Sequence, residues 1–313
     1  MRISVIIITR NRKDDVKQTI EGYLSQTYSD KEIVVIDNES RDGTREMMEV
    51  DYPDIKYLWL PDNFDIRSIN LGVELSTGDI IWRTDSDSHP ESPDTFERVA
   101  GIFKNHPDID IVCSENIEVK KAYTVWEWYP FQVDKTKEPP DGFPANIFAG
   151  TGAGIRRNVF DKIGGFWEFG FEELDFCTRA ILAGCKVRYF PSVRTLHFSS
   201  PFDRNNNNRW IQILKQNVRY SWRYFPFFQA IGRVIQFYST HLFFGVLKGV
   251  SIGAVFESFF TVLAVSFSTF RNERKVVTTA QLKEITMGVS VFRTQVNYFR
   301  EIIKRNIKKW RNH

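Results

Sequence analysis

Two acidic clusters and one histidine carry the clearest chemical potential in this sequence. Asp85-Ser86-Asp87 follows the apolar run Ile80-Ile81-Trp82-Arg83-Thr84, and Glu172-Glu173-Leu174-Asp175 opens a helical pattern. In extended backbone, side chains two apart share a side and stand roughly 6–7 Å apart. Carboxylates held that way repel each other unless a cation is near. Asp85 and Asp87 therefore suit either a divalent metal that bridges to phosphate oxygens or an ordinary solvated turn. An EF-hand calcium loop is excluded, because Pro90 occupies the sixth position, where such a loop requires Gly. Glu172, Glu173 and Asp175 could simply favour a helix N-terminus. Alternatively, one of them is a general base that takes a proton from a hydroxyl. His197 ends the segment Thr195-Leu196-His197, either packed or as a metal ligand.

Nearer the N-terminus, Thr9-Arg10-Asn11-Arg12 follows the run Ile3–Ile8. Its backbone amides and side chains are suited to a nucleotide base and phosphate. Asp37, at the start of Asp37-Asn38-Glu39-Ser40-Arg41-Asp42-Gly43-Thr44, could accept from an imide N–H or a ribose hydroxyl, or cap a turn. The segment Gly150-Thr151-Gly152-Ala153-Gly154 lacks the spacing of a dinucleotide fingerprint. It reads as a hairpin or as a place where backbone approaches a ligand closely.

The elements that must position these residues follow from hydrophobic periodicity. Ile3–Ile8 and Glu32–Ile36 read as buried strands, and Ile55–Leu60, Ile80–Thr84 and Ile109–Cys113 as further strands. Helical patterns separate them, for example Val16, Ile20, Tyr23 and Leu24. This alternation predicts an α/β fold with a mostly parallel sheet, whose strand C-termini line up along one ligand-binding edge. Residues 116–147, with Trp126, Trp128, Tyr129 and Phe131, read as a long loop or insertion. A helix near Leu174–Leu182 and strands near Val187–Phe190 and Val193–Phe198 complete a first domain over residues 1–204.

Charge divides the chain. Residues 1–200 hold 24 Lys+Arg against 34 Asp+Glu, a net of −10, and residues 201–313 hold 18 against 5, a net of +13. An acidic front argues against nucleic acid as a partner, which needs a basic footprint. The stretch 225–270 contains 11 of the 27 Phe residues, and Gly249–Phe270 carries a single charge, Glu257. That stretch is long enough to cross a bilayer, but its Ser and Thr content also suits a helix on a membrane surface or a buried one. From Leu282 to Trp310 apolar residues recur at intervals of three and four, with Lys304, Arg305, Lys308, Lys309 and Arg311 near the end. This stripe could pack on its own protein, lie on anionic lipid, or form a homodimer. The three cysteines, Cys113, Cys177 and Cys185, form no disulfide framework, and the short N-terminal apolar run is no signal peptide, so a cytoplasmic setting on the inner membrane face is expected.

The order of these segments resembles the family 2 glycosyltransferases of GT-A fold, over about residues 1–200. The carriers are Ser4–Arg12, Gln26-Thr27-Tyr28, Glu32–Thr44, Asn70-Leu71-Gly72, Thr77-Gly78-Asp79, Asp85-Ser86-Asp87, Gly164-Gly165-Phe166 and Glu172–Arg179, with His197 where many members have a late metal-binding His. The resemblance implies inverting transfer of a sugar from a nucleotide-diphosphate donor (UDP-, dTDP- or GDP-linked) to a hydroxyl of a glycan or lipid-linked acceptor. It implies that Asp87 and His197 hold Mn²⁺ or Mg²⁺, and that Thr9, Arg10, Asn11, Arg12, Asp37, Asn70, Asp85, Ser86 and Gly152 line the donor site. Glu173 is then the base, at its ordinary ionised pKa, with Glu172 and Asp175 beside the acceptor. Two departures stand out: Glu173 replaces the usual Asp of the acceptor motif, and Ser88 stands where a further acid is common. A sugar nucleotidyltransferase and a degenerate glycan-binding subunit are the alternatives. The first lacks its Gly-rich triphosphate loop here, and the retained acids speak against the second.

Overall fold

Among the described residues, the strands form one nine-stranded sheet in the order β3-β2-β1-β4-β8-β6-β9-β5, with β7 paired to β9 and the β-branched runs in its first half. A computed structural model describes residues 1–119, 133–199, 206–247 and 249–288. β1 (Ile3–Thr9), β2 (Lys31–Asn38), β3 (Lys56–Leu60) and β4 (Ile80–Asp85) are mutually parallel. They are joined through α1 (Lys13–Leu24), α2 (Thr44–Asp51) and α3 (Ser68–Leu75). Alternate residues of β1 enter opposite layers. Ile3, Val5 and Ile7 pack with Val16 and Ile20 of α1 and with Phe96 and Val99 of α4 (Thr95–Asn105). Ile6 packs with Ile69 and Val73 of α3. Burial on both faces is why the run is continuous rather than alternating, and each such side chain contributes about 1.5–3 kcal/mol.

The second half of the sheet departs from the expected parallel rhythm. β8 (Ala153–Arg156) runs antiparallel between β4 and β6 (Ile111–Glu118), with Ile155 opposite both Ile81 and Ile111. The two strands expected at Val187–Phe190 and Val193–Phe198 are a single strand, β9 (Val187–His197), parallel to β6. Its pairing jumps from Ser114–Phe190 to Glu115–Arg194, so residues 191–193 bulge out. Pro191 sits in this bulge, where a missing N–H breaks no ladder bond. The short β5 (Ser88–Pro90) pairs antiparallel with the end of β9, placing Ser88 opposite His197, and β7 (Phe143–Pro144) also pairs with β9. α5 (Arg157–Ile163) and α6 (Glu172–Leu182) follow β8 and contribute Val159, Phe176 and Ala180 to the α3 layer. Trp126, Trp128, Tyr129 and Phe131 lie outside the described residues.

The chain divides into two units, Met1–Asn205 and Asn206–His313. In the second, α7 (Asn206–Tyr224), α8 (Phe227–Leu247) and α9 (Ile252–Asn272) are long helices, followed by α10 (Thr279–Thr286). Ser251 caps α9 by accepting from the Ala254 N–H at 3.2 Å, and a Thr278/Gln281 capping box starts α10. Among the described residues, α9 is the helix long and apolar enough to cross a membrane by length and composition. Leu282 and Ile285 of the basic C-terminal stripe fall in or beside α10, and the rest of the stripe, from residue 289 on, lies outside the described residues.

Candidate active site

Residues expected on the donor side, Thr9–Arg12, Asp37 and Asp85–Ser86, lie at the C-terminal ends of β1, β2 and β4. Asp37 is the penultimate residue of β2 and is fully buried. Its Oδ1 accepts from the Ser40 N–H at 2.9 Å, and its Oδ2 accepts from the Tyr57 hydroxyl at 2.7 Å. The turn-capping role and an exact placement of the carboxylate are thus combined, and Tyr57 on β3 is a partner that sequence reasoning missed. Burial, and then the carboxylate of Asp37, push the Tyr57 hydroxyl well above the ordinary tyrosine range, so it stays a donor. Asn11, at φ 49°, ties two loops together: its N–H donates to Ser40 Oγ at 2.8 Å and its Oδ1 accepts from the Arg41 N–H at 2.8 Å. Arg10 lies 3.8 Å from Glu39. Thr9 Oγ1 is buried without a hydrogen-bond partner.

Asp87 follows β4 by two residues and is nearly inaccessible. Its Oδ2 lies 3.5 Å from Arg12 Nη1, and its Oδ1 lies 3.4 Å from His197 Nε2. His197 Nδ1 is in turn 2.7 Å from Glu118 Oε2. The β9 bulge makes this possible, because it brings His197 into register with Glu118. Phe198 N–H donates to the Asp87 carbonyl at 2.8 Å, and Thr19 Oγ donates to the Ser86 carbonyl at 2.8 Å, which fixes the turn between β4 and β5. Burial opposes the imidazolium, but Asp87 and then Glu118 outweigh it and raise the His197 pKa. Asp87 and a histidine whose far nitrogen is held by a second carboxylate form a donor set that fits Mn²⁺ or Mg²⁺. Among the described residues, no three His, Cys, Asp or Glu side chains close around one point.

Arg83 connects this side to the second acidic cluster. Its guanidinium is buried inside β4, with Nη1 3.1 Å from Asp85 Oδ1 and Nη2 3.5 Å from Glu173 Oε1. Gly150 makes the bridge sterically possible: a Cβ there would lie 1.8 Å from Arg83 Nη1 and 2.8 Å from Glu173 Oε1. A Cβ at Gly152 would likewise meet Thr195 at 2.5 Å and Trp82 at 2.8 Å. The Gly-rich segment is therefore small because protein side chains crowd it. Sequence reasoning also missed Arg83 and Glu118. An arginine inside an otherwise apolar parallel strand was the available signal, since it survives there only if paired.

Glu173 departs from the expectation that it needs no large pKa shift. Its side chain is 17% exposed. Burial, then the neighbouring Glu172, push its carboxyl well above the usual range; Arg83 opposes this and Asp85 adds to it. Burial raises Glu172 as well. The other predicted residues hold the surrounding loops. Glu172 Oε2 accepts from the Gly170 N–H at 2.6 Å. Asp175 pairs with Arg179 at 2.8 Å, and Arg179 also donates to the Ile163 and Gly165 carbonyls and stacks over Trp167 at 4.2 Å. Asn70 donates to the Phe166 carbonyl at 2.9 Å and accepts from its N–H at 2.8 Å, clamping α3 to the segment before α6.

The family model "Glycosyl transferase family 2" matches residues 4–164, just over half the chain. The chain belongs to glycosyl transferase family 2. The chain is 33% identical over 115 residues to a glucosyl-dolichyl phosphate glucuronosyltransferase of Haloferax volcanii, covering 34% of this chain and 36% of that protein. It is 25% identical over 210 residues to the probable glycosyltransferase YdaM of Bacillus subtilis, covering 62% and 50%. It thus spans about a third to a half of the curated relatives it matches. Among solved structures it resembles S. aureus TarS in complex with UDP-GlcNAc, at TM-score 0.62 and 14% identity, over 87% of this chain and 90% of that one. It also resembles a mannosyltransferase of Pyrobaculum calidifontis in complex with GDP-Man and Mn²⁺, at TM-score 0.54 and 18% identity, over 99% and 82%. The fold of this family 2 member is GT-A, as expected, with the antiparallel β8 as a refinement of its sheet. Family membership makes it a transferase.

Proposed function

We propose that this chain is an inverting glycosyltransferase that moves a sugar from a nucleotide-diphosphate donor to a hydroxyl acceptor. The observation that carries the proposal is the convergence of Asp87, His197 and Glu118 at one strand edge, with Glu173 tied to the same edge through Arg83 and Asp85. Asp37, Asn11 and the loop amides hold the base and ribose, while Arg10 and Arg12 supply positive charge for phosphate. Asp87 and His197 would hold Mn²⁺ or Mg²⁺, which when bound neutralises charge on the leaving diphosphate. Two protein ligands suit a metal that takes its remaining oxygens from phosphate and water.

Glu173 takes the proton of the acceptor hydroxyl as that oxygen bonds to the anomeric carbon. The bond to the diphosphate breaks on the opposite face, which inverts the anomeric centre. A carboxyl raised toward the working pH is a stronger base once ionised than one at its ordinary value. Arg83 aims Glu173 and keeps its ionised form accessible inside a largely buried site.

The basic, Phe-rich second unit points to work at an anionic membrane surface, on a lipid-linked glycan or surface-polysaccharide precursor. A panel of UDP-, dTDP- and GDP-sugars, assayed for metal-dependent nucleotide release, tests the proposal. One donor should be turned over by the wild type and not by Asp87→Ala or Glu173→Ala. Full activity in both variants overturns it.

A further inference from the structure

We propose that α9 does not cross the bilayer but lies flat in one anionic leaflet, with its Phe stripe in the acyl chains and α7 on the water side. This rests on the membrane reading above and decides between its two forms.

The residues of α9 sort into three lines along the helix. Ala254, Ser258 and Thr269 are buried. Ala254 packs on Trp210 and Ile211 of α7, and Ser258 lies 3.2 Å from the Tyr238 hydroxyl of α8. A second line, Ile252, Phe256, Phe259, Phe260, Leu263, Phe267 and Phe270, is 45–76% exposed throughout. Its spacing of three and four places all seven on one outward face. A third line at 257, 264, 268 and 271 borders that face and contains Glu257, Ser268 and Arg271, all exposed. The helix thus turns its small and hydroxylated residues inward and its largest apolar ones outward. That is the reverse of a water-facing helix, and lipid is the solvent it fits.

The pairing of α9 with α7 decides the orientation. The two helices run parallel and side by side. Asn207 contacts Ser251 at 3.2 Å at one end. At the other, the Arg223 and Tyr224 carbonyls accept from the Lys275 and Val277 N–H groups at 2.8 and 3.1 Å. α7 carries Arg209, Lys215, Arg219 and Arg223 along its length, with Lys215 at its midpoint. A spanning α9 would carry Lys215 to the centre of the hydrocarbon and Arg219 to an intermediate depth, where a charge is strongly disfavoured; Arg209 and the Arg223–Glu273 pair lie near the two helix ends. Glu257 would also meet acyl chains. An in-plane α9 avoids both: only the Phe face enters lipid, Lys215 and the charges of the third line stay out of the acyl chains, and Arg223 keeps its buried pair with Glu273. The excess of Lys and Arg in residues 201–313, 18 against 5 acids, selects an anionic leaflet.

Nitroxide labels on the full chain bound to phosphatidylcholine/phosphatidylglycerol vesicles test this. Labels would be placed singly through Phe256→Cys, Leu263→Cys, Phe270→Cys and Ser268→Cys. The native cysteines are buried, and the unsubstituted chain gives the labelling background. Accessibility to oxygen and to an aqueous nickel complex should place 256, 263 and 270 at one common depth of roughly 5–10 Å below the headgroups. Position 268 should remain open to nickel. A label at 263 lying at the midplane, with 256 and 270 shallower on opposite sides and 268 closed to nickel, overturns the in-plane arrangement while leaving membrane binding intact. Failure of the unlabelled chain to partition onto the vesicles overturns the membrane reading as well. Circular dichroism and nucleotide-dependent melting check that each variant folds. As a second measurement, joint replacement of Phe256, Phe260 and Phe267 by Ser should lower vesicle partitioning by more than about tenfold. An unchanged partition coefficient in a folded variant counts against the stripe as the lipid contact.

Discussion

Around Asp87, carboxylates and cations alternate: Arg12, Asp87, His197 and Glu118 form a chain of opposite charges. Around Glu173 the balance differs, because Glu172, Glu173 and Asp85 crowd a single buried guanidinium, that of Arg83. The first arrangement fixes His197 between two carboxylates and raises its pKa. The second holds Glu173 toward its protonated form and makes it a stronger base when it does ionise.

The comparison breaks most sharply at Glu173. Glu173→Gln should lower kcat by about 10²–10⁴-fold, the usual range for loss of a general base. Metal-dependent donor affinity, read by calorimetry, should change little. A parallel loss of donor affinity would assign Glu173 to the donor side instead. Glu118→Gln probes the other cluster. It should weaken Mn²⁺ affinity by about 10–100-fold, as for a residue orienting a ligand, with a smaller effect on kcat at saturating metal. Unchanged metal affinity would detach Glu118 from that role.

Glu172→Gln should act through charge on its neighbour. Removing a like charge lowers the Glu173 pKa, so the acid limb of kcat/KM moves to lower pH; a shift upward contradicts the proposed coupling. The smallest effect concerns stability. Glu173 has a folded-state pKa above its unfolded value, so its protonated form contributes stability at low pH. That contribution is lost as pH rises through the folded-state value. The unliganded protein should therefore melt lower as pH rises from the ordinary carboxylate range up to about 8, and Glu173→Gln should flatten that slope. A difference of 1 kcal/mol corresponds to roughly 2–4 °C for a unit of this size. An equally steep slope in the variant would assign the decline to other groups.

Much of the first unit was readable because its signals are local. Ile3–Ile8, apart from Ser4, and Glu32–Ile36, apart from Glu32, are apolar without alternation, which requires burial on both faces, and the structure buries both strands side by side. Asp37 follows the second of these runs and Asp87 follows Ile80–Thr84. β8 was not legible as an antiparallel insertion, since Ala153–Arg156 is short and its pairing with β4 joins residues about 70 apart. The single strand Val187–His197 read as two because its bulge interrupts the hydrophobic pattern. The segment Gly150–Gly154 read as a hairpin or as a close backbone approach to a ligand, and the structure shows Arg83 packed against Gly150.

The linear chain determined which residues can bear charge, which segments must be buried and which family the order of motifs belongs to, since composition and periodicity are local properties. It could not decide that His197 meets Asp87 and Glu118, that Arg83 spans Asp85 and Glu173, or that the Phe residues of α9 face outward. Those outcomes depend on register and on which helix covers which face. A shift of one residue in β9 would carry His197 to the other side of the sheet, and about half a turn of α9 would bury its stripe.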